Sequence, residues 1–159
     1  MYQHILLMRN GCAECNTNPC VGILLAKSLE ARVTGVYVME NLSAKEILDI
    51  YNPGPLKWAG AGKRQKQAMA DAEKRQKDVA GKSLEKTEKS CADLGVPFEG
   101  VCLTGESPVD GVLKVMADKR CDLIVTSTHP HGLKDLLFDA IDAKKLGKSK
   151  IPVLCHHCG

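Results

Sequence analysis

Between residues 101 and 154 the sequence alternates short apolar runs with polar, helix-forming segments, and this order constrains the fold more than any other feature. The first apolar run is followed by Gly105-Glu-Ser-Pro108, and proline in that place is typical of the first turn of a helix. Two further apolar runs, 122–126 and 151–154, follow at intervals long enough for one helix each. This spacing predicts parallel strands joined by helical crossovers, since such a crossover needs about a dozen residues or more.

The rest of the chain continues the same alternation of strands and helices. Arg32 to Met39 is rich in β-branched valine, which favours a strand. Lys63 to Leu94 has the pattern of one long helix closed by Gly95. We predict an α/β fold with an open, mostly parallel five-stranded sheet and helices on both faces, formed by one domain over residues 1–159. The predicted strands are 2–8, 32–39, 98–103, 122–126 and 151–154, and the predicted helices are 19–31, 44–51, 63–94, 108–119 and 133–146.

Composition and charge narrow the class of protein. With 44% hydrophobic and 26% charged residues, the chain can bury an ordinary core. A formal net charge of +3 is too small to indicate a nucleic-acid partner. No apolar run reaches the roughly 18 residues that a membrane span needs, and no basic region followed by a long apolar stretch marks a signal peptide. We therefore expect a cytoplasmic protein without membrane or direct nucleic-acid binding.

Three segments carry a resemblance to a known family. They are His4-Ile-Leu6, the turn Gly105-Glu-Ser-Pro108 with the helix after it, and Asp122-Leu-Ile-Val-Thr-Ser-Thr-His129. In these segments the chain resembles the universal stress protein family. The resemblance implies a Rossmann-like fold of the adenine nucleotide alpha hydrolase type, with strand order 3-2-1-4-5 and a ligand crevice between strands one and four. It also implies a homodimer formed through the edge strand 151–155.

The residues that match the family's nucleotide site depart from its pattern. Asn10 stands where nucleotide-binding members carry aspartate, and Pro130-His131 falls where the first glycine of a phosphate loop belongs. Gly132 matches the second glycine, and Asp139-Ala140 occupies the place of a glycine-serine pair. Proline lacks an amide donor and aspartate repels phosphate, so we expect ATP to bind weakly or not at all. The candidate residues for a remaining ligand site are Asn10, Val38, Thr128, His129 and Gly132.

Cysteine and histidine residues gather near the predicted carboxyl ends of three strands. Eight cysteines are many for a cytoplasmic chain, and without a secretory signal a disulfide framework is not expected. Two Cys-x-x-Cys pairs are typical of zinc sites. Strands one and five flank strand four at about 10 Å from each other, a gap that short loops can close around one ion. The same pairs also suit disulfides or free thiols. The candidate metal ligands are Cys12, Cys15, Cys155, Cys158, His129 and His131.

The other cysteines and His4 have simpler interpretations. Cys91, Cys102 and Cys121 lie on or beside predicted core elements, so we interpret them as structural. Cys20 falls at the second position of the first predicted helix, where the helix dipole can lower a thiol pKa. His4 lies early in strand one and is interpreted as a structural or surface residue.

Three functions fit these patterns. The first is a non-enzymatic, dimeric stress-response regulator with a degraded nucleotide site and an unidentified protein or small-molecule partner. The second is a metal-binding or thiol-redox protein that uses the cysteine and histidine cluster. The third is an ATP-binding family member with slow hydrolysis. No Ser-His-Asp set and no paired carboxylates stand at positions that indicate a hydrolase, which favours the first hypothesis.

Overall fold

The computed structural model of the chain describes residues 1–9, 20–40, 61–105, 108–128 and 150–157. The strands in these segments are β1 (His4–Arg9), β2 (Arg32–Glu40), β3 (Phe98–Gly105), β4 (Leu123–Thr128) and β5 (Val153–His157). The helices in the same segments are α1 (Val21–Leu29), α2 (Ala61–Leu94) and α3 (Pro108–Lys119). The strands form one sheet in the order β3-β2-β1-β4-β5, and every neighbouring pair is parallel. The predicted fold class and strand order are confirmed.

The central strand β1 is covered on both faces. Ile5, Leu6 and Leu7 are at most 1% exposed. Because successive side chains of a strand point to opposite faces, Ile5 and Leu7 join the core cluster that includes α1 and α2 residues. Leu6 joins the cluster that includes α3 residues. A continuous apolar run is therefore what this strand needs, since its sheet carries helices on both sides.

Two of the helices meet the sheet through positions that require glycine. Gly95 closes α2 with a φ of +69°, and the N–H of Val96 donates to the carbonyl of Cys91 at 2.8 Å. This confirms the predicted glycine C-cap. At Gly22 in α1, a Cβ atom would lie 2.7 Å from Cδ1 of Leu7 and 3.2 Å from Cγ1 of Val125. A larger residue at position 22 would push α1 away from β1 and β4.

Several element boundaries differ from the prediction. β1 ends at Arg9 and β4 at Thr128, so both strands continue further toward their carboxyl ends than the sequence analysis placed them. β5 begins at Val153 instead of Ile151, because Val153 is the first residue that pairs with β4, opposite Ile124. Cys20 is the N-cap of α1 and lies before the first helical residue. The predicted helices 44–51 and 133–146 lie outside the described residues.

No helix in the described part of the chain is both long enough and apolar enough to cross a membrane. Even the 34-residue α2 is mostly charged or polar on its exposed surface.

Candidate functional site

The strands end at different levels on the carboxyl edge of the sheet. Arg9, the last residue of β1, pairs with Tyr37 of β2. β2 continues past Tyr37 to Glu40, which pairs with Gly105 at the end of β3. At roughly 3.3 Å per residue, the described parts of β2 and β3 reach about 10 Å beyond the last described residue of β1.

The strand on the other side of β1 also extends beyond it. Leu7 pairs with Val125 of β4, and β4 runs on to Thr128, opposite His157 of β5. Because β1 ends two residues after Leu7, β4 reaches slightly further than β1. We use the word notch for the carboxyl end of β1 between β2 and β4. This is the place where the strand order reverses, and open α/β sheets bind ligands there.

Val38 lies on β2 beside the notch, one residue beyond the partner of Arg9. Its side chain is half-buried and packs against the core cluster on the α3 side of the sheet. A contact between Val38 and a ligand stays a prediction.

Arg9, the last residue of β1, lies at the notch and was not among the predicted site residues. It is only 7% exposed, and a buried guanidinium is unusual because Arg is rarely buried without a function or a partner. The positive charge of Arg9 also acts on the thiol of Cys91. Burial raises the pKa of the Cys91 thiol to about 11, and the Arg9 charge acts in the opposite direction. An arginine directly after an apolar run was the only sequence signal for this residue.

Most of the predicted ligand and metal residues lie outside the described part of the chain. These are Asn10, Cys12, Cys15, His129, His131, Gly132 and Cys158. Thr128 is the last residue of β4, at the carboxyl edge of the sheet.

The segment from Cys155 to His157 lies inside β5, and the prediction that it follows the strand was wrong. Cys155 pairs with Thr126, His156 with Ser127 and His157 with Thr128. The error arose because two histidines do not resemble a buried strand, whereas pairing with β4 decides where β5 ends. Cys155 is an exposed free thiol on this strand. No group of three or more metal-binding side chains is found among the described residues.

The remaining cysteines divide into buried and exposed thiols. Burial raises the pKa of both Cys91 and Cys121 to about 11, so these thiols stay protonated at neutral pH and act as small core residues. Cys102 is exposed on the edge strand β3, which the structural interpretation of this residue did not anticipate. Cys20 is partly buried and packs against the core on the α1 side.

Comparison with known proteins places the chain in a family. A sequence model of the universal stress protein family matches residues 1–157. No functionally curated protein matches the sequence.

Solved structures with the same fold include nucleotide complexes. A protein from the universal stress protein family of Burkholderia pseudomallei is 15% identical, with a TM-score of 0.66 over 97% of this chain and 95% of that one. A universal stress protein in complex with cAMP is 14% identical, with a TM-score of 0.61 over 99% and 98% of the two chains. A family protein from Arabidopsis thaliana with AMP bound is 16% identical, with a TM-score of 0.56 over 99% and 92%. At these identities the likeness shows a shared fold.

Proposed function

The chain belongs to the universal stress protein family, and from that membership we propose that it is a non-enzymatic, cytoplasmic regulator of the stress response that acts as a homodimer. We further propose that its notch binds an adenosine monophosphate. The observation that carries the proposal is the strand order, which reverses at β1 and so puts the notch where open α/β sheets bind ligands. The proposed contacts are Val38 as an apolar wall and Arg9, the last residue of β1, as the cation.

The choice of a monophosphate over ATP rests on charge and on backbone donors. A triphosphate needs many amide and hydroxyl donors along its length. The family's phosphate loop has Pro130 here, which lacks an amide donor, and Asp139, which repels phosphate. One phosphate requires fewer donors, and a single guanidinium such as that of Arg9 suits it well. Two of the relatives with this fold were solved with cAMP and with AMP.

Thermal unfolding with added nucleotides tests the ligand. A ligand that binds only the folded state stabilises it by mass action. We expect AMP or cAMP at about ten times its dissociation constant to add about 1.4 kcal/mol, which raises the melting temperature by about 4 °C. ATP with magnesium at the same concentration should give a smaller shift. A larger shift with ATP would contradict the proposed monophosphate site. If none of the three nucleotides shifts the melting temperature, the proposal of a nucleotide ligand is wrong.

Substitutions at the notch locate the binding site. Arg9→Gln removes the buried cation and should abolish the shift produced by AMP, whereas Lys82→Gln, an exposed residue of α2, should leave it unchanged. Circular dichroism and the melting temperature without ligand show whether Arg9→Gln still folds. If it does not, the half-buried Val38→Ala tests the same wall with less disruption. If neither notch variant changes the melting-temperature shift produced by AMP, the nucleotide binds outside the notch.

The proposed homodimer uses the edge of the sheet formed by β5. Leu154 is 39% exposed on this strand, and Cys155 next to it is also exposed. An apolar edge strand offers backbone donors and acceptors to a second copy of itself, which gives a two-fold dimer. Leu154→Lys should convert the dimer to a monomer in light scattering at micromolar concentration. Thr104→Lys, an exposed residue of the opposite edge strand β3, is the matched control. A monomeric wild type would overturn this part of the proposal.

A zinc site is the second candidate function. The order of the sheet supports it, since β1 and β5 flank β4 and run parallel, so that Cys155 lies two strands away from the end of β1. Elemental analysis of protein purified without chelator should find about one zinc per chain if the four cysteines form one site. Replacing Cys12 and Cys15 with serine should remove the metal, whereas Cys102→Ser on β3 should retain it. Metal-free protein with freely titrating thiols would reject this function.

A further inference from the structure

A cavity of about 400 Å³ opens on the edge of the sheet opposite the notch. It lies at the amino ends of β1, β2 and β3 and beside the end of α3. Because β1 has six residues, this cavity and the notch lie at opposite ends of a strand about 20 Å long. The volume falls within the range of roughly 300–1,000 Å³ that is typical of small-molecule sites. The residues that matter for its chemistry are His4, Arg32, Thr34, Pro97, Lys119 and Arg120.

His4 is held rigidly in the wall of this cavity and is only 5% exposed. Its Nδ1 lies 2.9 Å from the carbonyl oxygen of Lys119, which can only accept, so Nδ1 carries the proton and donates. Its Nε2 lies 2.8 Å from Oγ1 of Thr34, whose hydroxyl donates to it. Burial and the positive charge of Arg32 lower the pKa of His4, which favours this neutral form. The ring is a fixed part of the wall.

The charged residues around the cavity leave two guanidinium groups available. Lys119 donates to the carboxylate of Glu99, so these two charges are committed to each other. Arg32 and Arg120 form no ion pair with any carboxylate in the described segments, although Asp118 also lines the cavity. The balance of the uncommitted charges is therefore positive. Guanidinium groups present several N–H donors in a plane, which suits the oxygens of phosphate and carboxylate groups.

The carboxyl end of α3 repels an anion less than a helix end with unpaired carbonyl groups would. The last carbonyls of a helix carry a partial negative charge when they have no partner. Here the N–H of Cys121 donates to the carbonyl of Met116 at 3.0 Å, and the N–H of Arg120 donates to that of Ala117 at 3.3 Å. The carbonyl of Lys119 accepts from His4. An anion in the cavity would thus meet arginine side chains next to carbonyls that are already hydrogen-bonded.

We propose that this cavity binds a small organic anion through a phosphate or carboxylate group placed between Arg32 and Arg120. The apolar part of the ligand packs against Pro97, which is exposed and lines the same cavity. The site is independent of the nucleotide proposed for the notch, because the two lie at opposite edges of the sheet. The chain would then have two ligand sites, one at each end of its central strand.

Nuclear magnetic resonance titration tests the site with three probes: phenyl phosphate, benzoate and inorganic phosphate. Phenyl phosphate or benzoate should move the ring resonances of His4 and the amide resonances of Arg32 and Arg120 in a saturable way. Whichever of the two binds tighter identifies the preferred oxyanion. Inorganic phosphate should bind more weakly than phenyl phosphate, since it has no apolar part to pack against Pro97. Absence of saturable shifts at His4 with every probe, or shifts confined to Arg9 and Val38 at the notch, would overturn the proposal.

Two variants assign the binding to the arginines. Arg32→Gln and Arg120→Asn should each weaken binding of the tighter probe by about tenfold, the loss expected for one hydrogen-bonded charged contact. Asparagine is chosen at position 120 because the backbone there has a φ of +56°, which asparagine tolerates. Lys82→Gln removes one positive charge from an exposed residue that does not line the cavity and should not change the affinity. Equal weakening by Lys82→Gln would show that the anion is attracted only by net charge. Wild-type affinity in both arginine variants would show that the arginines do not bind it.

Discussion

The two edges of the sheet are built in different ways. At the amino edge, contacts join segments that are far apart in the chain: the carboxylate of Asp122 accepts the N–H of Gln3 at 2.8 Å and that of His4 at 3.0 Å. His4 in turn connects β1 to Thr34 of β2 and to Lys119 at the end of α3. At the carboxyl edge, β1 ends at the notch between β2 and β4, where the strand order reverses. One edge positions the strands, and the other is the edge at which open α/β sheets bind ligands.

The amino-edge contacts matter because a parallel strand can pair in more than one register. A slip of one residue would turn every side chain of β1 to the opposite face, and the two faces bury different core clusters. Asp122 and His4 fix the start of β1 against both β4 and β2, so the register is set before the carboxyl edge is reached. Substitutions at the notch would then leave the pairing register of the strands unchanged. This division agrees with the general rule that binding residues stand on loops and strand ends over a rigid scaffold.

Among the variants that compare the two edges, His4→Ala is expected to lose the most stability. Removing the ring leaves a cavity and takes away the hydrogen-bond partner that His4 provides to Oγ1 of Thr34 and to the carbonyl of Lys119. We expect a loss of about 3 kcal/mol in the free energy of unfolding. Val38→Ala at the notch, where the side chain is half-buried, should cost about 1 kcal/mol. Urea unfolding of both variants measures the difference. Equal losses would mean that the two edges contribute alike to stability.

A smaller effect should follow from Thr34→Val, which replaces the hydroxyl by a methyl group of similar size. Thr34 is fully buried, and the valine would leave Nε2 of His4 without its hydrogen-bond donor. We expect a loss of about 1–2 kcal/mol. The same substitution in a His4→Ala background should cost much less, because the two residues act as one unit. Additive losses in this double-mutant cycle would show that the hydrogen bond does not connect β1 to β2 energetically.

The sheet could be predicted from the sequence because its strands are continuous apolar runs. The run from Ile5 to Leu7 alone indicates a strand buried on both faces, and the structure confirms that burial. The bounds of α3, Pro108–Lys119, were also predicted correctly, since proline marks its first turn. The order of the strands came from the resemblance to a family, as apolar runs do not say which strand lies beside which.

The candidate site was harder to predict because its features depend on where strands end. Arg9 looked like the first residue of a loop, yet its pairing with Tyr37 makes it the last residue of β1, buried at the notch. The histidines of β5 looked like a tail, yet they pair with β4. The amino-edge cavity could not be predicted from the sequence. Arg32 and Arg120 are far apart in the chain, and only the folded sheet brings them together.

The smallest expected effect concerns pH and also arises at the amino edge. Burial, followed by the charge of Arg32, lowers the pKa of His4 from its ordinary value of 6.5 in the folded protein, although Asp122, Glu99 and the carbonyl of Lys119 act in the opposite direction. The unfolded chain therefore binds the proton at a higher pH than the folded one. Stability from this residue is complete above pH 6.5 and is lost as the pH falls from there toward the lowered pKa.

Urea unfolding at pH 7.5, 6.5 and 5.5 measures this loss in the wild type and in His4→Asn. The variant lacks the titrating ring, so its stability should fall less between pH 6.5 and pH 5.5. The other four histidines are present in both proteins, and their contributions cancel in the difference between the two slopes. The lowered pKa of Glu99, whose ordinary value is 4.5, affects stability only at lower pH. Identical slopes for the two proteins would mean that His4 is protonated as easily in the fold as in the unfolded chain, and that its burial at this edge has no electrostatic consequence.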